Sequence, residues 1–385
     1  MKLFFGDEAY DGQLQRSVGK ADSGMANVGE CLAIAGQVTA GDRDSWFAAW
    51  SEFADRLDAQ GRAALASGHR ASARWALLRA AEYYRQAFFF HRDDLGGDEL
   101  TRAYRSSVDA FRTALPLLDH DAEVLTGDLS GYLFTRRSDR RSPTVLHVGG
   151  YDGTAEELYA AVAPALERGY AFAAVDGPGQ GAMLYERGVP MRPDWESVVP
   201  GMVDTLTGHP WVDPERIVLV GRSFGGLIAP RGASGEPRLA ALVVDPGQLE
   251  MGSGVMQRLG DLAQHLDDPG ADDQFQSLLT IPSLQAFLAP RMATHGLTSV
   301  RAYLADLLRY TNEDTAAAIT CPSFVTDNET DTVSVGQGQA LFDRLTCPKA
   351  FRRFTRPEGA EGHCEGMAPT VFWTAAFDWL DDLLA

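Results

Sequence analysis

The sequence of 385 residues predicts an α/β fold, in which helices cover both faces of a mostly parallel, doubly wound sheet and a helical domain precedes it. Two observations lead to this prediction. In the first third of the chain, apolar residues recur at three- and four-residue spacing, as they do in amphipathic helices. From about residue 123 the period changes, and short apolar runs alternate with helical stretches. Such alternation is typical of parallel strands that are buried on both faces.

Residues 1–122 are predicted to form a helical cap domain. The helical spacing is clearest in three stretches, which are SWFAAWSEFADRLDAQGRAALASG, RASARWALLRAAEYYRQAFFF and DELTRAYRSSVDAFRTALPLL. The second stretch contains the aromatic residues Tyr83, Tyr84 and 88–90. We expect most of these rings to pack between helices, and one or two of them to line a ligand pocket.

The sheet is predicted to lie in two segments, residues 123–247 and 319–385. The first segment opens with EVLTGDLSGYLFTRR, which alternates like a hairpin of two strands, with breaks at Gly127-Asp128 and Ser130-Gly131. Six apolar runs follow as further strands, namely TVLHV (144–148), AFAAV (171–175), IVLV (217–220), LAALVV (239–244), SFVT (323–326) and AFRRF (350–354).

A long segment, residues 248–318, separates the two parts of the sheet. It is rich in helix formers and far longer than an ordinary connection between a helix and a strand. We therefore predict a helical lid insertion, which joins the cap over the carboxyl ends of the strands. Ligands of open α/β sheets bind at those ends.

Charge and composition exclude several classes of function. The formal net charge of −19 repels nucleic acid and anionic lipid, so we expect neither a nucleic-acid partner nor a membrane partner. The first residues hold too short an apolar run for a signal peptide, which predicts a cytoplasmic protein. Four scattered cysteines predict free thiols rather than a disulfide scaffold, and no spacing of ligating residues predicts a metal or a cofactor.

The stretch VLVGRSFGG is the first feature that points to chemistry. The apolar run IVLV leads directly into Gly221, Arg222, Ser223, Phe224 and Gly225, and a helix is predicted to follow. A serine between glycines at such a strand-to-helix turn is typical of an exposed nucleophile held in a strained conformation. The alternative is a tight turn without chemistry. We interpret Ser223 as a nucleophile.

A serine hydroxyl needs a base that takes its proton. When the serine lies at such a turn, the acid and then the histidine follow it along the chain. His363 is the one histidine after the last predicted strand, whereas His265 and His295 fall in the lid. His363 is therefore the predicted base.

A carboxylate must orient that base. The loop after SFVT offers Asp327, Glu329 and Asp331, and we favour Asp331 because it stands just before TVSV and a following helix. Asp245 is the alternative, since it ends the run LAALVV and its loop could also reach the imidazole.

Acyl transfer also needs donors for an oxyanion. The predicted donors are the backbone N–H groups of Phe224 and Tyr151, because Gly149 and Gly150 let the backbone approach the substrate. The nearby glycine-rich stretch VDGPGQGAM lacks the spacing of a nucleotide-binding loop and is predicted to shape the floor of the pocket.

Four motifs, VGGYDGTAEELY, VDGPGQGAM, VGRSFGG and GEPRLAALV, occur in this order and together resemble a known family. They resemble the α/β-hydrolases related to dihydroxypseudooxynicotine hydrolase, which include polyketide-shortening hydrolases and FrsA-like proteins. The resemblance covers residues 120–250 and 319–380. It implies the α/β-hydrolase fold and a triad of Ser223, Asp331 and His363. It also implies a substrate-binding role for Asp152, which falls where the nicotine-pathway enzyme has a glutamate one methylene longer, with Gly150 beside it.

These observations predict a serine hydrolase that forms an acyl-enzyme and cleaves a small-molecule ketone at a C–C bond, or an ester. The resemblance implies a secondary-metabolite or catabolic pathway and a possible homodimer. A general esterase or a peptidase on the same triad is the second hypothesis, although a helical cap disfavours large peptides. A non-catalytic protein that binds a partner is the third.

Overall fold

The computed structural model describes residues 2–127, 129–136 and 140–385. Within them the chain forms one eight-stranded sheet with the order β1-β2-β4-β3-β5-β6-β7-β8. The strands are β1 Asp121–Leu125, β2 Ser130–Thr135, β3 Ser142–Val148, β4 Ala171–Asp176, β5 Val212–Arg222, β6 Ala241–Asp245, β7 Ser323–Asn328 and β8 Lys349–Phe354. Strand β2 is antiparallel to both β1 and β4, and the other pairs are parallel. The predicted mostly parallel α/β fold is confirmed.

The opening hairpin differs in detail from the prediction. Ser130 and Gly131 do not break the alternation but belong to β2, where they pair with Asp176 and Val175. A side chain at Gly131 would come within 2.1 Å of the Ala174 carbonyl oxygen, so the glycine marks close strand pairing and not a turn. The other predicted break includes Asp128, which lies outside the described residues.

The helices cover both faces of the sheet. They are α1 Glu8–Val18, α2 Val28–Ala35, α3 Arg43–Ala66, α4 Arg70–Ala87, α5 Asp98–Ala114, α6 Val162–Glu167, α7 Gly181–Tyr185, α8 Val199–Thr207, α9 Gly225–Ser234, α10 Gly252–Leu259, α11 Asp272–Gln276, α12 Pro282–Thr294, α13 Val300–Leu307, α14 Gln337–Arg344 and α15 Pro369–Leu384. None of the described helices combines the length and the apolar character that a membrane crossing requires.

Alternation along the central strands produces two apolar cores. Val145 and Val218 share one core with the N-terminal helices and α15, whereas Leu146 and Leu219 share the other with α8 and α9. Successive side chains of a strand point to opposite faces, so a continuous apolar run supplies both cores. The N-terminal helices therefore pack directly against the sheet.

The aromatic residues of α4 mainly serve packing. Tyr83 and Phe88 are buried, and the hydroxyl of Tyr83 donates a 2.8 Å hydrogen bond to Glu30. Phe89 and Phe90 follow in the short helical turn Phe89–His91 and remain partly accessible. This turn contacts α12, so the segment between β6 and β7 meets the N-terminal helices there.

Helices α10–α13, within residues 248–318, enclose an apolar cluster of their own. Phe275 and Tyr303 lie at its centre and are almost completely buried. The connection after α13 returns to the sheet, where the buried Asn312 donates hydrogen bonds to the carbonyl groups of Leu227 and Gln248. These contacts hold the segment against α9, the helix that follows Ser223.

Candidate active site

Ser223 lies at the sharp turn between β5 and α9. Its φ of +57° is in the left-handed region, where a residue with a side chain is strained. The turn is held from both sides, because the Ser223 N–H donates to the Asp245 carbonyl at 2.7 Å and the Ser223 carbonyl accepts from the Gln248 amide at 2.6 Å. Any side chain at Gly226 would come within 1.9 Å of the Pro246 carbonyl oxygen, so only glycine fits there.

The structure brings the three predicted triad residues into one hydrogen-bonded chain. His363 Nε2 lies 2.8 Å from Ser223 Oγ, and His363 Nδ1 lies 3.1 Å from Asp331 Oδ2. Asp331 is buried, and its other oxygen accepts a 2.7 Å hydrogen bond from the Val333 N–H. This geometry suits proton transfer from the serine to the imidazole, with a carboxylate that fixes the orientation of the ring.

Electrostatics in this chain favour a charged imidazole and an ionised carboxylate. Burial alone raises the pKa of Asp331, but the hydrogen bond and charge of His363 outweigh it and lower the pKa below its usual range. Burial likewise lowers the pKa of His363, whereas Cys364 and Asp331 raise it, and the net pKa lies well above the ordinary histidine value. The pair therefore stabilises the imidazolium that forms when the serine loses its proton.

Asp245, the alternative acid, is occupied elsewhere. It is fully buried at the end of β6, where one oxygen accepts from Arg222 Nε at 2.7 Å and the other accepts from the Thr326 hydroxyl at 2.7 Å. Its carboxylate lies beneath the turn that holds Ser223. Of the two candidates, Asp331 is the one that contacts His363.

The predicted oxyanion loop follows β3 directly and passes close to the serine. A Cβ added to Gly150 would lie 3.1 Å from Ser223 Oγ. In the described part of the chain, the N–H groups of Tyr151 and Phe224 donate to no other protein group. Two free backbone donors beside the serine are what a developing oxyanion requires.

Gln180 supports this loop and was not identified from the sequence. Its amide nitrogen donates to the carbonyl groups of Gly149 and Gly150 at 2.7 and 2.9 Å, and its oxygen accepts from the Gly177 N–H. The side chain is almost fully buried. The glycine-rich stretch VDGPGQGAM therefore shapes the site by holding the backbone next to Ser223. Gln180 is a polar residue within this glycine-rich stretch, and its presence there is the sequence signal that could have identified it.

The side chain of Tyr151 extends away from the sheet and contacts residues of the lid. Its hydroxyl forms a short hydrogen bond with His295 Nε2 and lies 3.4 Å from the Tyr303 hydroxyl. His295 Nδ1 in turn lies 2.7 Å from Asp306 Oδ2. His295, which the sequence analysis placed in the predicted lid, thus holds the loop after β3 through Tyr151.

Asp152, the predicted substrate-binding acid, is paired with two cations from the cap. Its carboxylate lies 2.8 Å from Arg16 Nη1 and 3.6 Å from Arg92 Nη2. These neighbours hold its pKa well below the usual range, although burial alone would raise it. About a quarter of its side chain, 24%, remains accessible.

Comparison with known proteins agrees with this architecture. The sheet order and the serine at the turn after β5 define the class of α/β-hydrolases. A model of the alpha/beta hydrolase family matches residues 144–371, and a model described as esterase FrsA-like matches residues 37–249. The chain therefore belongs to the FrsA-like family of α/β-hydrolases, and the resemblance seen in its motifs is confirmed.

Among curated proteins, the chain is 38% identical to the "Hydrolyase poxO" of Penicillium oxalicum over 64% of its own length and 62% of that protein. It is 35% identical to the "20-hydroxy-prefusarin hydrolase FUS2" of Gibberella moniliformis over 65% of its length and 63% of that protein. The chain thus spans less than two thirds of these relatives. The crystal structure of 2,6-dihydroxy-pseudo-oxynicotine hydrolase superposes with a TM-score of 0.73, 22% identity and 95% coverage of both chains, which shows the shared fold.

Proposed function

We propose that this chain is a serine hydrolase that cleaves a small-molecule ketone at a C–C bond, or an ester, through an acyl-enzyme. One observation carries the proposal, namely the hydrogen-bonded chain from Ser223 through His363 to Asp331 at a strained strand-to-helix turn. A serine that served only as a turn residue would need neither an imidazole at 2.8 Å nor a carboxylate behind it.

The reaction follows from these contacts. His363 Nε2 accepts the proton as Ser223 Oγ adds to the substrate carbonyl, while the N–H groups of Tyr151 and Phe224 donate to the oxygen that becomes negative. His363 then returns the proton to the leaving group as the bond to the acyl carbon breaks. Water adds to the acyl-enzyme by the same route in reverse and releases a carboxylic acid and the free serine.

Two observations support a small substrate. The side chain of Tyr151 joins the loop beside Ser223 to the segment 248–318, and helix α12 of that segment meets the N-terminal helices at the turn Phe89–His91. A relative at 35% identity carries the name 20-hydroxy-prefusarin hydrolase, which refers to a small organic molecule. Two segments that meet near the serine loop favour a small molecule over a peptide chain.

The test is a turnover assay by mass spectrometry with an aryl β-diketone and an ester of the same acyl group, and with Ser223→Ala as the control. Serine-dependent cleavage that is faster for the diketone supports C–C hydrolysis, and faster ester cleavage identifies an esterase. Turnover that survives in Ser223→Ala contradicts the proposal. Failure of Ser223 to react with a fluorophosphonate would instead support the non-catalytic hypothesis.

A further inference from the structure

A network of buried ion pairs lies next to the oxyanion loop, between α1, α4 and the residues after β3. Its shortest contacts link three cations to three carboxylates, which are Arg16, Lys20, Arg85, Glu82, Asp152 and Glu157. The contacts measure 2.5–2.8 Å, and Arg16 uses its whole guanidinium on Glu157 and Asp152. The three cations and the three carboxylates of this set balance in formal charge.

Arg92 adds a fourth cation, whose contact with the carboxylates of this set is a longer ion pair to Asp152. Its Nη2 lies 3.6 Å from Asp152 Oδ2, which is beyond hydrogen-bonding distance, whereas Oδ1 of the same carboxylate accepts from Arg16 at 2.8 Å. Its Nε donates to the Phe89 carbonyl and its guanidinium lies 4.1 Å from the centre of the Phe89 ring. Only 8% of the side chain is accessible. Within the described residues, its remaining N–H donors have no acceptor at hydrogen-bonding distance.

Arg291, on α12, is a second arginine near this loop and is partly accessible to solvent. Its Nη1 donates to the Phe287 carbonyl at 2.7 Å, and its guanidinium stacks 3.7 Å from the Phe287 ring. The same guanidinium lies 5.7 Å from the ring of Tyr151. Among the described residues it has no carboxylate partner. An arginine carries five N–H donors and stays charged, so most of its hydrogen-bonding capacity is unused here.

Both arginines converge on the loop that passes the nucleophile. Arg92 approaches Asp152 and Arg291 approaches Tyr151, which directly follow Gly150, and Gly150 lies against Ser223. This excess of positive charge stands in a chain whose net charge is −19. A largely buried guanidinium such as that of Arg92, whose remaining N–H donors lack acceptors among the described residues, costs free energy, and an anionic ligand recovers it through short charge-assisted hydrogen bonds.

We infer that Arg92 and Arg291 bind an anionic oxygen of the substrate, so that this hydrolase acts on an acyl compound that carries a carboxylate or that releases an enolate. The inference rests on the proposed serine hydrolysis and assigns it a charge class of substrate. For a diketone, the same guanidinium groups hold the oxygen of the enolate that forms when the C–C bond breaks, before His363 protonates its carbon. The two arginines then stabilise the negative charge that a carbon leaving group carries as it departs.

Two fluorophosphonates of equal length, one ending in a carboxylate and the other in a carboxamide, test the inference without knowledge of the natural substrate. Each reacts with Ser223 by forming an O–P bond and releasing fluoride, so the ratio of the two labelling rates measures the preference for negative charge. We expect wild-type protein to label about tenfold faster with the carboxylate probe. Arg92→Met and Arg291→Met should each reduce this ratio severalfold.

The control is Arg56→Met, which removes an exposed arginine of α3 and should leave the ratio unchanged. Arg92→Lys serves as a second variant that keeps the charge in case Arg92→Met unfolds, and it should retain part of the preference. A ratio near one in wild-type protein, or a ratio that survives both arginine substitutions, overturns the inference while Ser223 still reacts. If neither probe labels wild-type protein, the proposed hydrolase function fails and the inference fails with it.

Kinetics with 1-phenyl-1,3-butanedione distinguish the two sources of the anion. If the arginines serve the departing enolate, Arg92→Met lowers kcat for this diketone and leaves KM nearly constant, because the charge develops only as the bond breaks. If they bind a permanent carboxylate, wild-type protein and Arg92→Met cleave the diketone at equal rates. Only the faster labelling by the carboxylate fluorophosphonate is then lost in Arg92→Met. Both results support the inference and assign the anion to one source.

Discussion

The guanidinium of Arg222 donates a 2.6 Å hydrogen bond to the carboxyl group of Glu365. The first residue directly precedes the candidate nucleophile, and the second lies two positions after the candidate base. Arg222 also donates to the Cys364 carbonyl at 3.0 Å and pairs with Asp245 at 2.7 Å. The loop that it holds is strained, since Cys364 and Glu365 have φ values of 52° and 57°. One buried cation therefore joins the serine turn to the histidine loop.

Arg222→Met should destabilise the protein and slow the reaction. Removing one partner of a buried charge cluster leaves the Asp245 carboxylate without its cation, which typically costs about 3 kcal/mol or more. The loop that carries His363 also loses its strongest tie. We expect a lower urea midpoint and at least a tenfold slower labelling of Ser223 by a fluorophosphonate, with both quantities measured on the same preparation.

Glu365→Gln is the matched control for that change. Burial and the nearby Asp245 raise the pKa of Glu365 well above its usual value, and Arg222 offsets only part of this, so folding shifts the group towards its neutral form. A glutamine keeps the acceptor for Arg222, and the Asn328 amide, whose oxygen is buried without a partner among the described residues, can rotate to accept from it. Near wild-type stability is expected. A loss of stability equal to that of Arg222→Met would show that Glu365 carries a charge in the folded protein.

The triad acid can be assigned by comparing two asparagine substitutions. Asp331→Asn should lower kcat by about 10³- to 10⁴-fold with little change in KM or stability, because it removes the charge that stabilises imidazolium. Asp245→Asn should instead lower the free energy of unfolding, since it breaks the pair with Arg222. Steady-state kinetics and urea unfolding measured on both variants separate the effects. A larger kcat loss for Asp245→Asn would assign the role to that residue.

The rate should rise with pH through the titration of His363. Only the neutral imidazole can accept the serine proton, and Cys364 and Asp331 raise the pKa of His363 well above the ordinary histidine value despite burial. The rising limb in a plot of kcat/KM against pH should therefore have its midpoint above about pH 6.5. Cys364→Ser removes the thiol that raises the pKa of His363 and should move the limb to lower pH. Cys347→Ser, a change at another free thiol, should leave the limb in place. If the midpoint of the limb has the same pH in Cys364→Ser as in the wild-type protein, this assignment is contradicted.

His147 should make the protein sensitive to acid. It is 2% accessible, neither ring nitrogen has a partner within the described residues, and burial, followed by the charge of Arg222, lowers its pKa to about 3. In the unfolded chain it takes up a proton below about pH 6.5, which the folded protein cannot do until about pH 3. Stability contributed by this residue is therefore lost as pH falls through that window.

The rate of that loss is at most about 1.4 kcal/mol per pH unit. His147→Phe retains an aromatic ring against Phe172 and Trp373 but cannot titrate. Urea unfolding at pH 7 and at pH 5 should show a smaller decrease for the variant than for the wild-type protein. Equal decreases in both proteins would exclude His147 as the cause.

The sequence alone determined the fold class and the positions where chemistry was to be expected. Apolar runs such as IVLV have the length and composition of buried parallel strands, and a serine set among glycines directly after such a run is typical of a strand-to-helix turn. The order of serine, acid and histidine along the chain singled out His363. These features are local, because they depend on backbone geometry and on the spacing of side chains along the chain. Patterns among neighbouring residues can be recognised in the sequence alone.

Contacts between distant segments were decided only by the tertiary structure. The sequence left Asp245 and Asp331 as competing acids, and it said nothing of Gln180 beside Gly150 or of Glu365 beside Arg222. The positions of Arg92 and Arg291 at the oxyanion loop depend on how the cap and the lid pack over the sheet. Charged side chains pair according to distance and burial in three dimensions, which no spacing along the chain encodes. The fold could thus be predicted from local patterns, whereas the charge environment of the site required the packed structure.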